Sequence, residues 1–117
     1  MLSGKNVLIV EDTALIAVDI ESVLDELGAT NIVTDGGGES RSLTERQFDL
    51  AIVDFHAAKA LGEVFFAKLE NENVPVVFML TDPESGGPSA FSGRFEIVQK
   101  PFAYEDLCAA IAQLLAG

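Results

Sequence analysis

Short, almost wholly apolar runs that end at acidic or polar residues constrain the fold of this chain more than any other feature. Asn6–Val10 (NVLIV) is followed directly by Glu11 and Asp12, and Leu50–Asp54 (LAIVD) ends on an acid itself. Strands buried on both faces read as continuous apolar runs, whereas strands with one solvated face alternate apolar and polar residues. The runs therefore predict parallel strands in a sheet that helices cover on both sides.

Three further strands and the segments between them complete this pattern. The other predicted strands are Asn31–Thr34, Val74–Leu80 and Glu96–Gln99. Apolar residues at helical spacing predict helices from Ile16 to Leu27 with Gly28 as C-cap, through Leu61 to Leu69, over about Tyr104–Leu115 and, weakly, over Ser40–Arg46. We expect an α/β domain over residues 1–117, a (βα)5 doubly wound five-stranded parallel sheet of flavodoxin-like order 2-1-3-4-5.

The segment between Thr81 and Phe95 is a poor helix former. It reads DPESGGPSAFSGR and holds two prolines and three glycines. Relative to alanine, glycine costs about 1 kcal/mol and an interior proline about 3 kcal/mol in a helix. We therefore expect the fourth helix to be short, distorted or missing.

Charge and cysteine content exclude several classes of function. With Lys+Arg 7 against Asp+Glu 19, the formal net charge is −12, which repels nucleic-acid phosphates and anionic membranes. The single cysteine, Cys108, can form neither an internal disulfide nor a thiolate metal cage, which fits a reducing cytoplasm. No apolar run approaches the ~18 residues of a membrane span, and the amino terminus lacks a signal-peptide pattern. We expect a cytoplasmic protein that binds neither nucleic acid nor membrane.

Chemically active side chains follow four of the predicted strands. Glu11 and Asp12 follow the first strand, and Asp54 ends the third. Thr81 follows the fourth strand and Lys100 follows the fifth. In open parallel sheets, ligands bind at the carboxyl ends of the strands, near the point where strand order reverses. These five side chains are therefore predicted to meet at one edge of the sheet.

The chemistry of this set favours phosphoryl transfer. Clustered carboxylates need a proton or a cation between them, and oxygen ligands without a His or Cys cluster favour Mg²⁺. Aspartate is a phosphoryl acceptor that forms an acyl phosphate. We predict Asp54 as the nucleophile, with Lys100 and Mg²⁺ neutralising the phosphoryl charge. Thr81 is predicted to donate a hydrogen bond to the new phosphoryl group.

Four motifs, VLIVEDTALI, DLAIVD, VVFMLTD and VQKPF, resemble the receiver domain of bacterial two-component response regulators. The resemblance covers essentially the whole chain and is greatest to single-domain, chemotaxis-receiver-like members. It implies that Glu11 and Asp12 form the acidic metal pair and that Asp54 is the phosphoacceptor. It further implies that Thr81 is the switch hydroxyl and Lys100 the lysine of the family, with a cis bond often following that lysine.

The same resemblance implies a further metal ligand and exposes two departures from the family. The backbone carbonyl of His56 falls where the family supplies a metal ligand. Asp82 stands where a small residue usually follows the switch hydroxyl, and Ile97 stands where an aromatic switch residue is usual. Phe95 lies two residues earlier on the same strand face, so it can replace that aromatic residue only in part. We expect Asp82, Ile97 and Phe95 to modify the switch.

Functions of different classes stay open on these residues. The first is a phosphoacceptor that receives a phosphoryl group from a histidine kinase or phosphotransfer protein and switches a surface for an unidentified downstream protein. The second is a degenerate receiver that binds proteins without phosphorylation. The third is an enzyme on this fold, but a phosphatase wants an acid where His56 stands, and Glu11 and Asp12 would repel the phosphate of a flavin. We expect no enzyme beyond intrinsic phosphotransfer and autodephosphorylation, and a monomer or weak homodimer.

Overall fold

The computed structural model describes residues 2–35, 47–81 and 91–116 of the chain. In chain order the elements are β1 (Asn6–Val10), α1 (Ala14–Glu26), β2 (Asn31–Asp35), β3 (Leu50–Asp54), α2 (Phe55–Lys59), α3 (Glu63–Asn71), β4 (Val76–Leu80), β5 (Phe95–Gln99) and α4 (Tyr104–Leu115). Each of the five predicted strands is present within two residues of its expected bounds.

The five strands form one parallel sheet in the order β2-β1-β3-β4-β5, which confirms the predicted fold class. The order reverses between β1 and β3, so the crevice for a ligand is expected beyond the carboxyl ends of these two strands. Val10 pairs with Val53, and Leu80 pairs with Gln99. This register brings the residues that follow β1 and β3 beside each other, and it does the same for those that follow β4 and β5.

The strand side chains alternate between two apolar layers. Helices α1 and α4 cover one face, which is packed mainly with aliphatic side chains such as Ile9, Ile52 and Leu107. Helices α2 and α3 cover the other face, where rings including Phe65 and Phe78 fill much of the space. Because β1, β3 and β4 are buried on both faces, their sequences show no alternation of apolar and polar residues.

Helix α1 ends one residue earlier than predicted, at Glu26, with Leu27 rather than Gly28 as its C-cap. Gly28 follows the last turn with a φ of 95°, a left-handed conformation that glycine adopts without a Cβ penalty. The Gly28 N–H donates to the Asp25 carbonyl at 3.0 Å, and the Ala29 N–H donates to the Leu24 carbonyl at 3.0 Å. These bonds satisfy carbonyl groups that the end of the helix would otherwise leave without partners.

Helix α2 was not predicted, and two predicted boundaries shift. The chain enters α2 directly from β3, and Gly62, with a φ of 83°, separates it from α3, so the helix expected from Leu61 begins at Glu63. Strand β4 begins after Pro75 rather than at Val74, because the Val74 N–H donates to the Leu69 carbonyl at the end of α3. A proline also has no N–H to give to a strand ladder.

Two helix predictions fall largely outside the described residues. The weak helix over Ser40–Arg46 lies wholly outside them, and so do residues 82–90 of the fourth crossover. Residues 91–94, which complete that crossover, contain no helix. Within the described ranges, no helix combines the length and the apolar character that crossing a bilayer requires.

Candidate functional site

Three acidic side chains meet at the carboxyl edge of the sheet. Glu11 follows β1 and is 3% exposed, and Asp54 ends β3 and is 6% exposed. Asp12 is exposed beside them. Carboxylate oxygens of Glu11, Asp12 and Asp54 lie within 4.8 Å of one another. The register of β1 with β3 brings these acids together, since each one stands at or just after the end of its strand.

Lys100, at the end of β5, reaches across the sheet edge to two of these acids. Its Nζ atom lies 2.6 Å from Oε1 of Glu11 and 2.8 Å from Oδ1 of Asp54. Burial lowers the pKa of Lys100, but hydrogen bonds and charge from Asp54 and Glu11 outweigh it, so its pKa lies above the ordinary value. The ammonium therefore stays charged at neutral pH and partly balances the buried carboxylates.

The second oxygen of each buried carboxylate accepts a hydrogen bond from the backbone. Oδ2 of Asp54 accepts from the Ala57 N–H at 2.8 Å, so Asp54 is the N-cap of α2. Oε2 of Glu11 accepts from the Thr13 N–H at 3.1 Å. Both side chains are thus oriented from two sides, and neither is free to rotate toward solvent without losing a charge-assisted bond.

The end of β5 is held against β4 by the backbone. The Lys100 N–H donates to the Leu80 carbonyl at 2.8 Å, immediately before the Lys100–Pro101 peptide bond, which is cis as the resemblance implies. This bond extends the β4–β5 ladder by one residue beyond Gln99. The bond fixes the Lys100 backbone at the carboxyl edge of the sheet, where the lysine side chain reaches Asp54 and Glu11.

These groups line a cleft of about 370 Å³ above the sheet edge. The residues lining it are Asp12, Thr13, Ile16, Asp54, Phe55, His56, Lys59, Met79, Leu80, Thr81 and Lys100. Thr81 is exposed at the cleft, directly after β4, and His56 is exposed in the first turn of α2. The cleft therefore contains the predicted nucleophile, the predicted lysine, the predicted hydroxyl and one acid of the predicted metal pair.

Three predicted modifiers stand apart from this cleft or outside the described residues. Ile97 is 50% exposed on the surface formed by β5 and α4. Phe95 packs against the aromatic layer of the core, with its ring centroid 5.8 Å from that of Phe78. Asp82 belongs to residues 82–90, outside the described part of the chain. The roles predicted for the three residues stay predictions.

The cluster of acids is compatible with a magnesium site. Its donors are carboxylate oxygens alone, which suit a hard divalent cation. Glu11 and Asp54 each accept from Lys100 with one oxygen and from a backbone N–H with the other, whereas Asp12 is exposed at the cleft. The net charge of three carboxylates and one ammonium favours a further cation at this edge.

Phe55 and Lys59 are among the cleft-lining residues that sequence analysis missed. The ring of Phe55 lies against the cleft, and the Nζ atom of Lys59 lies 5.4 Å from the centroid of that ring. A sequence signal was present, because Asp is among the strongest N-cap residues and Asp54 precedes the helix-compatible stretch FHAAK. Because Asp54 also ends a strand, the sequence pattern does not show that it begins a helix, and the helix that carries Lys59 back to the cleft was not predicted.

The chain matches solved structures, whereas no protein-family model and no curated protein matches it. SdrG from Sphingomonas melonis Fr1 is 28% identical with a TM-score of 0.66, and the match covers 97% of this chain and 97% of that one. The PhyR stress response regulator is 29% identical with a TM-score of 0.74, over 97% of this chain and 46% of the regulator, so the chain spans about half its length.

The Erythrobacter litoralis PhyR response regulator REC domain adds a further likeness in fold. It is 24% identical with a TM-score of 0.76, and the match covers 97% of this chain and 92% of that domain. The resemblance that the four sequence motifs indicated is thereby confirmed, and the chain has the five-stranded fold of a response regulator receiver domain.

Proposed function

We propose that this chain is a phosphoacceptor of two-component signalling and that Asp54 receives the phosphoryl group. One observation carries the proposal. Asp54 ends β3 in an accessible cleft, with the Lys100 ammonium 2.8 Å from its Oδ1 atom and two further acids within 4.8 Å. An acid held in this way stays close to a fixed positive charge while an exposed side of the cleft admits a phosphoryl donor.

The proposed donor is a phosphohistidine on a histidine kinase or phosphotransfer protein. An oxygen of the Asp54 carboxylate attacks phosphorus, the P–N bond breaks, and its electron pair returns to the imidazole. The product is an acyl phosphate on Asp54. Hydrolysis by water at phosphorus returns the carboxylate and releases inorganic phosphate, so we propose intrinsic phosphotransfer and autodephosphorylation but no further enzymatic activity.

Charge neutralisation is the main task of the other side chains. Phosphoryl transfer needs in-line positioning and positive charge near the equatorial oxygens, whose negative charge it neutralises. The Lys100 ammonium lies beside Asp54 and is proposed to turn from the carboxylate toward the new phosphoryl oxygens. Thr81 is exposed at the same cleft, where its hydroxyl is proposed to donate a hydrogen bond to the phosphoryl group.

Asp12 and Asp54, with the backbone carbonyl of His56, are the proposed ligands of Mg²⁺. Bound there, the ion would supply positive charge between the carboxylates and the incoming phosphoryl group. Glu11 orients the site from behind, because its two oxygens hold the Lys100 ammonium and the Thr13 N–H. Asp12 and Asp54 line the cleft and Glu11 does not, so the two cleft-lining acids are the ones proposed for the cation.

Intact-protein mass spectrometry after incubation with acetyl phosphate and Mg²⁺ tests the proposal. We expect a mass increase of about 80 Da, the mass of one phosphoryl group, which is lost on treatment with hydroxylamine as an acyl phosphate should be. Asp54→Asn is the matched control, because Asn is as good an N-cap as Asp and preserves the bond to the Ala57 N–H. A folded wild-type chain that no donor labels would refute the proposal.

A second candidate is a receiver that binds partner proteins without phosphorylation. It is favoured by Ile97, which is half exposed at the position where the resemblance implies an aromatic switch residue. Amide NMR spectra separate the two candidates. Addition of Mg²⁺ and beryllofluoride should shift signals of β4, β5 and α4 if Asp54 controls the surface, and should leave them unchanged if the interaction is independent of phosphorylation.

We further propose a cytoplasmic location and a monomeric or weakly dimeric state. The acidic composition, with a net charge of −12, supports both by disfavouring self-association and binding to anionic membranes. Sedimentation of the chain with and without acetyl phosphate measures the oligomeric state. A tight dimer in both conditions would contradict this part of the proposal.

A further inference from the structure

Lys59 is a second lysine at the cleft, and the phosphoacceptor chemistry proposed above gives it no role. It is the last residue of α2, is exposed, and lines the cleft together with Asp12, Asp54 and Lys100. Its ammonium lies over the ring of Phe55, with Nζ 5.4 Å from the ring centroid. A flexible surface lysine is thereby held at the cleft that contains the acceptor carboxylate.

The position of the Phe55 ring is itself fixed by other rings. Its centroid lies 5.8 Å from that of Phe78 and 6.3 Å from that of Phe66, both in edge-to-face geometry. Phe78 is fully buried in β4. Edge-to-face packing of this kind favours one ring orientation over others. The face of the Phe55 ring that the Lys59 ammonium contacts is therefore held in a fixed orientation.

The negative charge at the cleft suggests a function for the Lys59 ammonium. Three carboxylates and the Lys100 ammonium leave the edge with net negative charge, and Lys100 is engaged with both Glu11 and Asp54. A phosphoryl donor is an anion, and it must approach a protein whose formal net charge is −12. Like charges at short range oppose its approach, so a cation at the mouth would raise the local concentration of donor.

We propose that the Lys59 ammonium binds the phosphoryl oxygens of the incoming donor and positions it over Asp54 before transfer. The inference rests on the proposed phosphoacceptor function and assigns a donor-positioning residue to the same site. Lys59 takes no part in bond making. With acetyl phosphate, an Asp54 oxygen attacks phosphorus, the bond from phosphorus to the bridging oxygen breaks, and its electron pair leaves with acetate.

The test compares Lys59→Met with Lys59→Arg and Lys5→Met. Methionine keeps most of the apolar stem of lysine, and arginine keeps the charge. Lys5 precedes β1 at the opposite edge of the sheet, so Lys5→Met makes the same change in net charge away from the cleft. Initial labelling rates are measured by intact mass over a range of acetyl phosphate concentrations, and again with phosphoramidate, which carries one fewer net negative charge at neutral pH.

We expect Lys59→Met to raise the half-saturating concentration of acetyl phosphate about three- to fivefold, as suits one exposed charge contact, with little change in the maximal rate. The effect should be smaller with phosphoramidate and should shrink as ionic strength rises from about 0.05 M to about 0.5 M. Lys59→Arg should stay close to wild type, and Lys5→Met should be indistinguishable from it.

A readout independent of transfer is binding of inorganic phosphate to Asp54→Asn, followed by amide shifts in α2. The titration should weaken when Lys59→Met is added and should be unaffected by Lys5→Met. The inference is overturned if wild type is labelled but Lys59→Met shows unchanged donor dependence, or if both donors are affected equally together with a loss of thermal stability. Absence of labelling in wild type would instead refute the phosphoacceptor function.

Discussion

Two acidic side chains at the amino edge of the sheet, the exposed Asp49 and the half-buried Glu70, are bonded to neutral donors, whereas at the carboxyl edge Glu11 and Asp54 are buried against a lysine. At the amino edge, Oδ2 of Asp49 accepts from the Asn6 N–H at 2.8 Å. Glu70 accepts from the backbone N–H and the hydroxyl of Ser92, at 2.6 and 2.8 Å. Both arrangements fasten a loop to its neighbour at little desolvation cost.

The difference indicates that the residues of the carboxyl edge serve a function and are not explained by stability alone. A buried ion pair is often no more stabilising than apolar packing of the same volume, because desolvation offsets the attraction. Functional sites are the places where sequences depart from locally favourable choices. The carboxyl edge departs in this way, with three acids close together, whereas no such group of acids occurs among the described residues of the amino edge. Four measurements test whether the two edges differ in this way.

The largest effect is expected from Lys100→Met. Removing the ammonium leaves Glu11 and Asp54 buried without their charged partner, so the free energy of unfolding should fall by about 3 kcal/mol, and labelling by acetyl phosphate should be lost. Denaturant unfolding measures the first effect. The matched control is Lys68→Met, which removes a lysine 2.6 Å from Glu72 on α3 and should cost less than about 1 kcal/mol. Equal losses in the two variants would erase the distinction between the sites.

Asp12→Asn is expected to stabilise the metal-free chain. It removes one of three like charges within 4.8 Å without touching the bonds of Lys100, so the unfolding free energy should rise by about 1 kcal/mol at low ionic strength. Asp19→Asn, in the middle of α1 and exposed, changes the net charge equally and should be nearly neutral. A destabilised Asp12→Asn would show that this acid is not under repulsion.

Magnesium should reverse the order of stability of wild type and Asp12→Asn, so that wild type becomes the more stable of the two. An ion that binds only the folded chain stabilises it by about 1.4 kcal/mol when present at roughly ten times its Kd. We expect this rise for wild type and a much smaller one for Asp12→Asn, measured by denaturant unfolding at constant ionic strength with NaCl as the control salt. Equal responses in both proteins would remove Asp12 from the proposed ligand set.

The smallest effect is expected at the amino edge, from pH acting on Glu70. Hydrogen bonds from the Ser92 N–H and hydroxyl lower the pKa of Glu70 below its ordinary value of 4.5. A lowered pKa in the folded state means that the bonds stabilise the chain above pH 4.5, and that this stability is lost as pH falls through the folded-state value. The difference in unfolding free energy between wild type and Glu70→Gln should therefore be largest near neutral pH and shrink in acid. A difference that grows in acid would contradict the assignment.

Much of the fold follows from local features of the chain. The bounds of β1 and β3 and of the last helix agree with the sequence prediction because a buried strand and an amphipathic helix each leave a repeating apolar pattern. Helix α2 was missed because its first signal, Asp54, also ends a strand, and a sequence pattern does not show that one residue does both. Register-dependent contacts, such as the Glu70–Ser92 bond, leave no local pattern at all.

Residue type and spacing, which are local properties, were enough to predict that the strands are parallel and buried and that acids, a hydroxyl and a lysine stand at their carboxyl ends. The pairing of Lys100 with Glu11, 89 positions away, and the placement of Lys59 over Phe55 at the same cleft became visible only in the folded chain. Those contacts depend on strand register and on the packing of rings between distant segments. Both are set by the whole fold rather than by any one stretch of residues.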